Sequence, residues 1–424
     1  MADSLTREQR MWRWRVFGVT WLAYAGFYLC RKNFSVCMPL LIEEFGFSKM
    51  QLANTLAAYN ILYMLGQFVN GMLSDRFGPR LIVGVGLFVS VACNVVMGFG
   101  STLLLFGVMF ALNGCAQATG WSGTVKNMST WFRHRERGVV MGWWCTCYVV
   151  GGFVATNFAT FAATNKMFLT DLAWRRGFWA PAALLAVVAV VYTLLTRNKP
   201  SDAGFADFEE DKEEEHTSED KLPALMLLKK PAFWVAGSSY FFLKLTRYAF
   251  IFWLPTYMTE ALGYSVERAG YTSSVYEFVG FSGVVVAGYL SDKAFNARRF
   301  PISSIMLFGF AGACFLHPSL AALGFLGNAI GIGLIGMMTY GPDALLSGPA
   351  AQDIGGQRGA GTAAGFINGM GSIGQVLSGY LVAYVADHFG WNSLFHIFVC
   401  FGILTGILTA TKWNYGGHAK KAEA

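Results

Sequence analysis

Charge is what this sequence has least of. Lys, Arg, Asp and Glu make up 13% of its 424 residues, about half of the roughly 25% typical of a soluble domain. That excludes a chain with a mostly water-facing surface. Histidine occurs six times, and nowhere do a nucleophile, a base and an orienting group cluster, so no enzyme, metal site or cofactor is read from the sequence. None of the eight cysteines lies in a loop. Cys30, Cys37, Cys93, Cys115, Cys145, Cys147, Cys314 and Cys400 all fall in apolar stretches, which excludes a secreted disulfide framework and makes them small core residues. The polar, basic start MADSLTREQRMWRWR leads into a long span without a small-residue cleavage site, so the first span is expected to be retained.

Hydrophobic residues, by contrast, reach 54%. Twelve apolar stretches recur, each about long enough to cross a hydrocarbon core of roughly 30 Å as a helix. The first runs from Val16 to Leu41 and the seventh from Ala232 to Tyr257. The expectation is an all-α membrane protein of two six-helix bundles: a segment 1–15, a bundle 16–196, an acidic linker 197–230 centred on FEEDKEEEHTSED, a bundle 231–411 and a tail 412–424. A net charge of +7 does not signal nucleic acid. Of the 32 Lys and Arg, 22 lie on the side of the N-terminus, 5 opposite and 5 within spans, so the positive-inside rule places both termini and the linker in the cytoplasm.

The two halves repeat. Asp75 in GMLSDRFGPR and Asp292 in GYLSDKAFNARR are 217 residues apart, Arg31 and Arg247 are 216 apart, and Trp174 and Trp391 are 217 apart. Internal repeats are how transporters build a site at the membrane midplane. GMLSDRFGPR fits the loop motif G-x-L-x-D-R-x-G-x-R and so resembles the major facilitator superfamily. The resemblance implies gating roles for Gly71, Asp75, Arg76, Arg80 and the repeated Asp292.

Five cations lie within spans: Arg31, Lys32, Lys126, Lys244 and Arg247. Each costs roughly 2.5–3.5 kcal/mol at a helix centre on insertion scales, so each must face protein or water. Arg31 is 15 residues past Val16, and Arg247 is 15 past Ala232, which puts both near mid-span. An arginine fork donates two parallel hydrogen bonds to phosphate oxygens, and two forks from opposite halves can clamp one phosphate. The alternative is pairing with Glu277 and Asp343, but two carboxylates cannot neutralise five cations. Tyr24 and Tyr28 precede Arg31 by seven and three residues and so share its helix face.

A narrower resemblance covers nearly the whole chain. FYLCRKNFSVCMP, the stretch from Gly114 to Gly138, TRYAFIFWLPTY, YEFVGFSG, YGP and GTAAGF are similar to the organophosphate:phosphate antiporter family, which includes glycerol-3-phosphate and hexose-6-phosphate transporters and the glucose-6-phosphate transporter of the endoplasmic reticulum. The resemblance implies that Arg31 and Arg247 bind phosphate, that Lys32 follows in the RK pair, and that Tyr63 and Tyr340 lie near the pocket. Gln67, Cys145, Tyr148, Lys244 and Phe252 stand where relatives carry other residues. Positive charge has thereby moved from the second helix to the seventh, where Lys244 stands one turn before Arg247.

GIGLIG, Gly331 to Gly336, lies inside an apolar span with no preceding strand and is no dinucleotide site. Gly361, Gly365 and Gly369 recur every four residues, as in helices that approach closely. Trp121 and Trp144 are read as packing residues, as are His317 and His396. The leading function is exchange of a small phosphate ester for inorganic phosphate by a monomer in a bilayer. The membrane is the inner membrane of a bacterium or an organellar one. A sensor of external hexose phosphate and a proton-coupled anion symporter, with Asp343 or Glu277 carrying the proton, remain open at this stage.

Overall fold

Helix is dictated wherever backbone meets lipid, because no water is there to satisfy its N–H and C=O groups. The computed structural model describes residues 5–132, 140, 141, 143–165, 170–206 and 227–416, and among them no strand occurs. The centre of the expected linker and the tail beyond residue 416 lie outside the described residues, as does most of WFRHRERG.

Fourteen α-helices are described. They are α1 (Arg7–Phe27), α2 (Leu29–Phe45), α3 (Lys49–Phe77), α4 (Pro79–Gly98), α5 (Leu103–Trp131), α6 (Thr146–Thr164), α7 (Arg176–Leu195), α8 (Pro231–Glu260), α9 (Val266–Ser273), α10 (Val275–Lys293), α11 (Arg299–Ala322), α12 (Phe325–Ser347), α13 (Pro349–Phe389) and α14 (Trp391–Ala410). Two of the starts are closed by capping boxes. Thr6 and Gln9 bond reciprocally at 2.9 and 3.2 Å, and so do Ser48 and Gln51, satisfying backbone donors that a helix start leaves open. Between them Gly46, at φ 65°, ends α2 in a left-handed conformation that glycine adopts without steric cost.

Eight of the expected spans are long and apolar enough to cross a membrane: α4, α5, α6, α7, the α9–α10 pair, α11, α12 and α14. The other four carry more of the polar load. The first is divided between α1 and α2 by a kink at Cys30, while α3, α8 and α13 contain Asn60 and Gln67, Lys244 and Arg247, and Asn368 and Gln375. The ninth span is longer than its apolar run. It continues past Phe315 to Ala322 through His317 and Pro318, because His317 is fully buried and meets the Tyr257 hydroxyl at 3.2 Å.

The chain divides into two compact units, Met1–Glu215 with Ser265–Tyr271, and His216–Tyr264 with Thr272–Ala424. Each repeats the same internal pairing. In the first, α3 packs on α5, α5 on α4, α4 on α7, and α2 on α6; in the second, α10 packs on α12, α12 on α11, α11 on α14, and α8 on α13. Glycines permit the tightest approaches. A Cβ at Gly336 would strike the Tyr276 carbonyl across α12 and α10, so the GIGLIG run serves helix packing.

The stripe expected to bring α13 against a neighbour is shifted. A Cβ at Gly365 or Gly369 would meet nothing within 4 Å, whereas one at Gly371 or Gly374 would collide with α8 at Tyr240 or at the Phe241 carbonyl. Gly361 lies outside the residues whose side-chain surroundings are described. Four-residue spacing defines a stripe but not the face it occupies, which is why the sequence misplaces the contact. Of the cysteines, Cys115 and Cys400 are exposed, so the small-core reading fails for these two.

Candidate functional site

In the first unit the site begins with a broken helix. Cys30 has φ −97° and ψ 20°, and the ladder slips around it. Arg31 N–H donates to the Tyr28 carbonyl at 3.1 Å rather than to that of Phe27, four residues back. Phe34 N–H donates at 2.9 Å to the side chain of Asn33. The Phe27 carbonyl is thus released beside the Cys30 carbonyl at the break, and a buried carbonyl left unmet costs about 1–3 kcal/mol. Polar side chains of α4 and α5 meet both: Gln117 Nε2 donates to Phe27 and Cys30 carbonyls at 3.0 Å each, and Asn113 Nδ2 to Cys30 at 2.7 Å. Asn33 Nδ2 donates to Asn94 Oδ1 at 2.8 Å, and Ser90 Oγ to Asn113 Oδ1 at 2.5 Å.

Arg31 is held by the same network. Its Nε donates to Gln117 Oε1 at 2.8 Å, an atom that also accepts from the Tyr59 hydroxyl at 3.1 Å. Its guanidinium lies over the rings of Tyr28 at 4.8 Å and Tyr63 at 4.9 Å, a cation–π arrangement. Arg31 is 6% exposed, and among the described residues no carboxylate pairs with it. The Nε bond leaves the two Nη groups, the fork, for a ligand.

Of the other expected residues in this unit, Lys32 is buried and Gln67 is exposed. Tyr24 does not stack on Arg31. Tyr24 packs on Trp121 at 5.4 Å and Trp144 at 5.5 Å, with Tyr28 and Tyr148 in the same aromatic cluster.

In the second unit α8 is unbroken from Pro231 to Glu260, and its arginine is compensated. Arg247 Nη1 donates to Asp343 Oδ2 at 2.6 Å, and its guanidinium lies 4.4 Å from the centroid of the Tyr340 ring. Pairing with a carboxylate, the alternative weighed for both arginines, therefore holds for Arg247 and not for Arg31. The pair is incomplete: Arg247 Nε and Asp343 Oδ1 are buried without a hydrogen-bond partner among the described residues. Lys244 places its ammonium 5.2 Å over the Tyr240 ring. Glu277 is buried, at 3% exposure.

The loop motif is placed in part. The side chains of Gly71 and Asp75 lie outside the described residues. Arg76 is exposed and stacks on Phe77, while Arg80 Nε donates to the Thr193 carbonyl at 2.8 Å and its N–H to Asn198 Oδ1 at 2.8 Å. In the second unit Asp292 pairs with Arg299, whose Nε lies 3.8 Å from Asp353.

The sequence reading missed Gln117, Asn113, Tyr59 and the Arg299–Asp353 contact. The i, i+4 recurrence of Ser90 with Asn94 and of Asn113 with Gln117 inside apolar spans is the signal that marks the network.

Residues 20–378 match the Major Facilitator Superfamily. The chain is 33% identical to the glycerol-3-phosphate transporter of Bacillus subtilis strain 168, over 96% of this chain and 94% of that protein. It is 26% identical to a probable hexose phosphate transport protein of Chlamydia trachomatis, over 97% and 93%, and 28% identical to the membrane sensor protein UhpC of Escherichia coli K12, over 96% and 93%. Among solved structures, a bacterial homologue of the human lysosomal transporter Spinster, inward-facing and unoccupied, superimposes with a TM-score of 0.81 at 16% identity, covering 95% of this chain and 97% of that one. At that identity the likeness concerns the fold alone.

Proposed function

This chain belongs to the Major Facilitator Superfamily and, within it, to the organophosphate transporters, and on that premise we propose that it exchanges a small organophosphate for inorganic phosphate by alternating access. Arg31 carries the reading: an almost fully buried guanidinium, fixed through Nε and lying over tyrosine rings, with no carboxylate paired to it among the described residues. A cation so placed is costly in a membrane, and a dianion that accepts from both Nη groups offsets that cost. Arg247 is the second phosphate ligand, with its unpartnered Nε available. Lys32, Lys244, Tyr28, Tyr63 and Tyr340 are further contacts.

The relatives named are bacterial, which favours a bacterial cytoplasmic membrane. The excess of Lys and Arg on the side of the N-terminus favours cytoplasmic termini. The monomer is taken as the transport unit.

The test is counterflow in proteoliposomes: vesicles loaded with phosphate should take up labelled phosphate, and a panel of esters outside should compete. Likeness to a membrane sensor protein favours one other reading, in which the chain binds hexose phosphate and signals. Specific phosphate or hexose-6-phosphate binding without any counterflow would decide for it.

A further inference from the structure

We propose that Gln117 is the positioning residue that presents Arg31 to phosphate, a proposal that rests on the phosphate reading above. The side chain does two things that a primary amide can do at once. Through Nε2 it donates to the carbonyls of Phe27 and Cys30 at the kink; through Oε1 it accepts from Arg31 Nε at 2.8 Å and from the Tyr59 hydroxyl at 3.1 Å. The shape of the helix and the direction of the guanidinium are therefore set by one group, itself fully buried.

Two consequences follow from the chemistry of an amide. The Nε bond holds the guanidinium where it lies over the rings of Tyr28 and Tyr63, so the fork is positioned before a ligand arrives and less freedom is lost on binding. And the anchor is neutral. A carboxylate here would still accept from Arg31 Nε but would lose the donor to the Phe27 carbonyl and cancel the charge a phosphate requires, as Asp343 does in part for Arg247. Methionine, close in size and without an N–H donor, would leave the charge but release the arginine and the Phe27 carbonyl, while Asn113 still meets that of Cys30.

The experiment uses the full chain in detergent, with inorganic phosphate as the probe, reading affinity by equilibrium binding and folding by thermal unfolding. Gln117→Glu keeps an acceptor for Arg31 Nε but loses the Nε2 donor to the Phe27 carbonyl, so it is expected to unfold at a somewhat lower temperature and, measured where it is folded, to bind phosphate at least about tenfold more weakly, the scale of one impaired charge-assisted hydrogen bond. Its preference for dianion over monoanion, read from affinities on either side of the second ionisation of phosphate, should shrink. Gln117→Met should weaken binding with that preference intact.

A residue serving the fold alone would move unfolding and affinity together and leave the ionic preference untouched in both variants. Folded Gln117→Glu with wild-type affinity and preference overturns the proposal; if Gln117→Met does not fold, Gln117→Glu decides alone. Arg31→Gln separates the two levels. If it binds phosphate as the wild type does, the phosphate reading falls and this proposal with it. If it loses binding while both Gln117 variants keep it, only the positioning role falls.

Discussion

The two mid-span arginines occupy corresponding helices of a repeated bundle, yet they stand in opposite electrostatic settings. Arg31 sits on a helix broken at Cys30, anchored by a neutral amide and stacked on two tyrosines, with its charge uncompensated among the described residues. Arg247 sits on an unbroken helix against Asp343 at 2.6 Å. The repeat has preserved register and helix pairing but not charge balance. Register follows from backbone geometry and the apolar pattern, whereas balance is set by single side chains such as Gln117 and Asp343. Under the proposed function a phosphate meets the full charge of Arg31 and must compete with a carboxylate at Arg247.

The largest expected effect tests that ranking directly. Arg31→Lys keeps the charge but replaces a fork by a point ammonium. Losing one charge-assisted bond, worth about 1.5–3 kcal/mol, should reduce labelled-phosphate self-exchange roughly 10- to 100-fold. Arg247→Lys should cost less, because its fork is already shared. Equal losses in the two variants would erase the distinction between the halves, and wild-type exchange in Arg31→Lys would remove Arg31 from the site.

The next effect concerns the uncompensated charge in the empty protein. Water in an open cavity screens it, but a state that excludes water strengthens every unbalanced interaction. Phosphate supplies the missing negative charge, so the loaded form should change sides about tenfold faster or more, the equivalent of about 1.4 kcal/mol in the barrier. Proteoliposomes loaded with phosphate should take up labelled phosphate rapidly and empty ones slowly. Equal uptake, or accumulation driven by an imposed proton gradient alone, would contradict antiport and return Asp343 or Glu277 to the mechanism.

Much of this architecture is legible in the sequence. The apolar spans, the loop motif and the matched positions of Arg31 and Arg247 register in hydropathy and spacing, which are properties of single positions. The kink does not, since neither proline nor glycine marks Cys30 and Pro39 lies well beyond it. Nor does the role of Gln117, because an uncharged amide barely lowers the hydropathy of α5 and its partners exist only at the kink. Nor does spacing show the aromatic cluster in which Tyr24, seven residues before Arg31, packs on Trp121 and Trp144. The Arg247–Asp343 pair joins α8 and α12 across 96 residues, and the sequence offers Glu277 as an equal candidate.

Asp343→Asn sharpens the comparison by making the second arginine resemble the first. Removing one member of a buried ion pair destabilises the unliganded protein, here moderated by side-chain exposures of 12% and 10%. Phosphate should then bind several-fold more tightly, since it no longer displaces a carboxylate, and its addition should raise the unfolding temperature by more than in the wild type. Unchanged affinity would mean that Arg247 does not contact the anion.

Lys244→Ala is the mildest of the four substitutions and the most informative about the organic part of the substrate. Lys244 is one helical turn before Arg247, and its ammonium lies 5.2 Å over the Tyr240 ring, an attraction to the aromatic face that leaves its charge in place. An ammonium held this way is a contact for a substituent that accepts hydrogen bonds, weaker than a fork and dependent on where that substituent falls. Inorganic phosphate lacks such a substituent. Its exchange should therefore change little, while affinity for at least one ester in a counterflow panel should fall about two- to tenfold, consistent with a partly solvated charged hydrogen bond of about 0.5–1.5 kcal/mol. An unchanged affinity for every ester would take Lys244 out of the pocket; an equal loss for phosphate and all esters would place it beside Arg247 as a third phosphate ligand and narrow the electrostatic gap between the two halves.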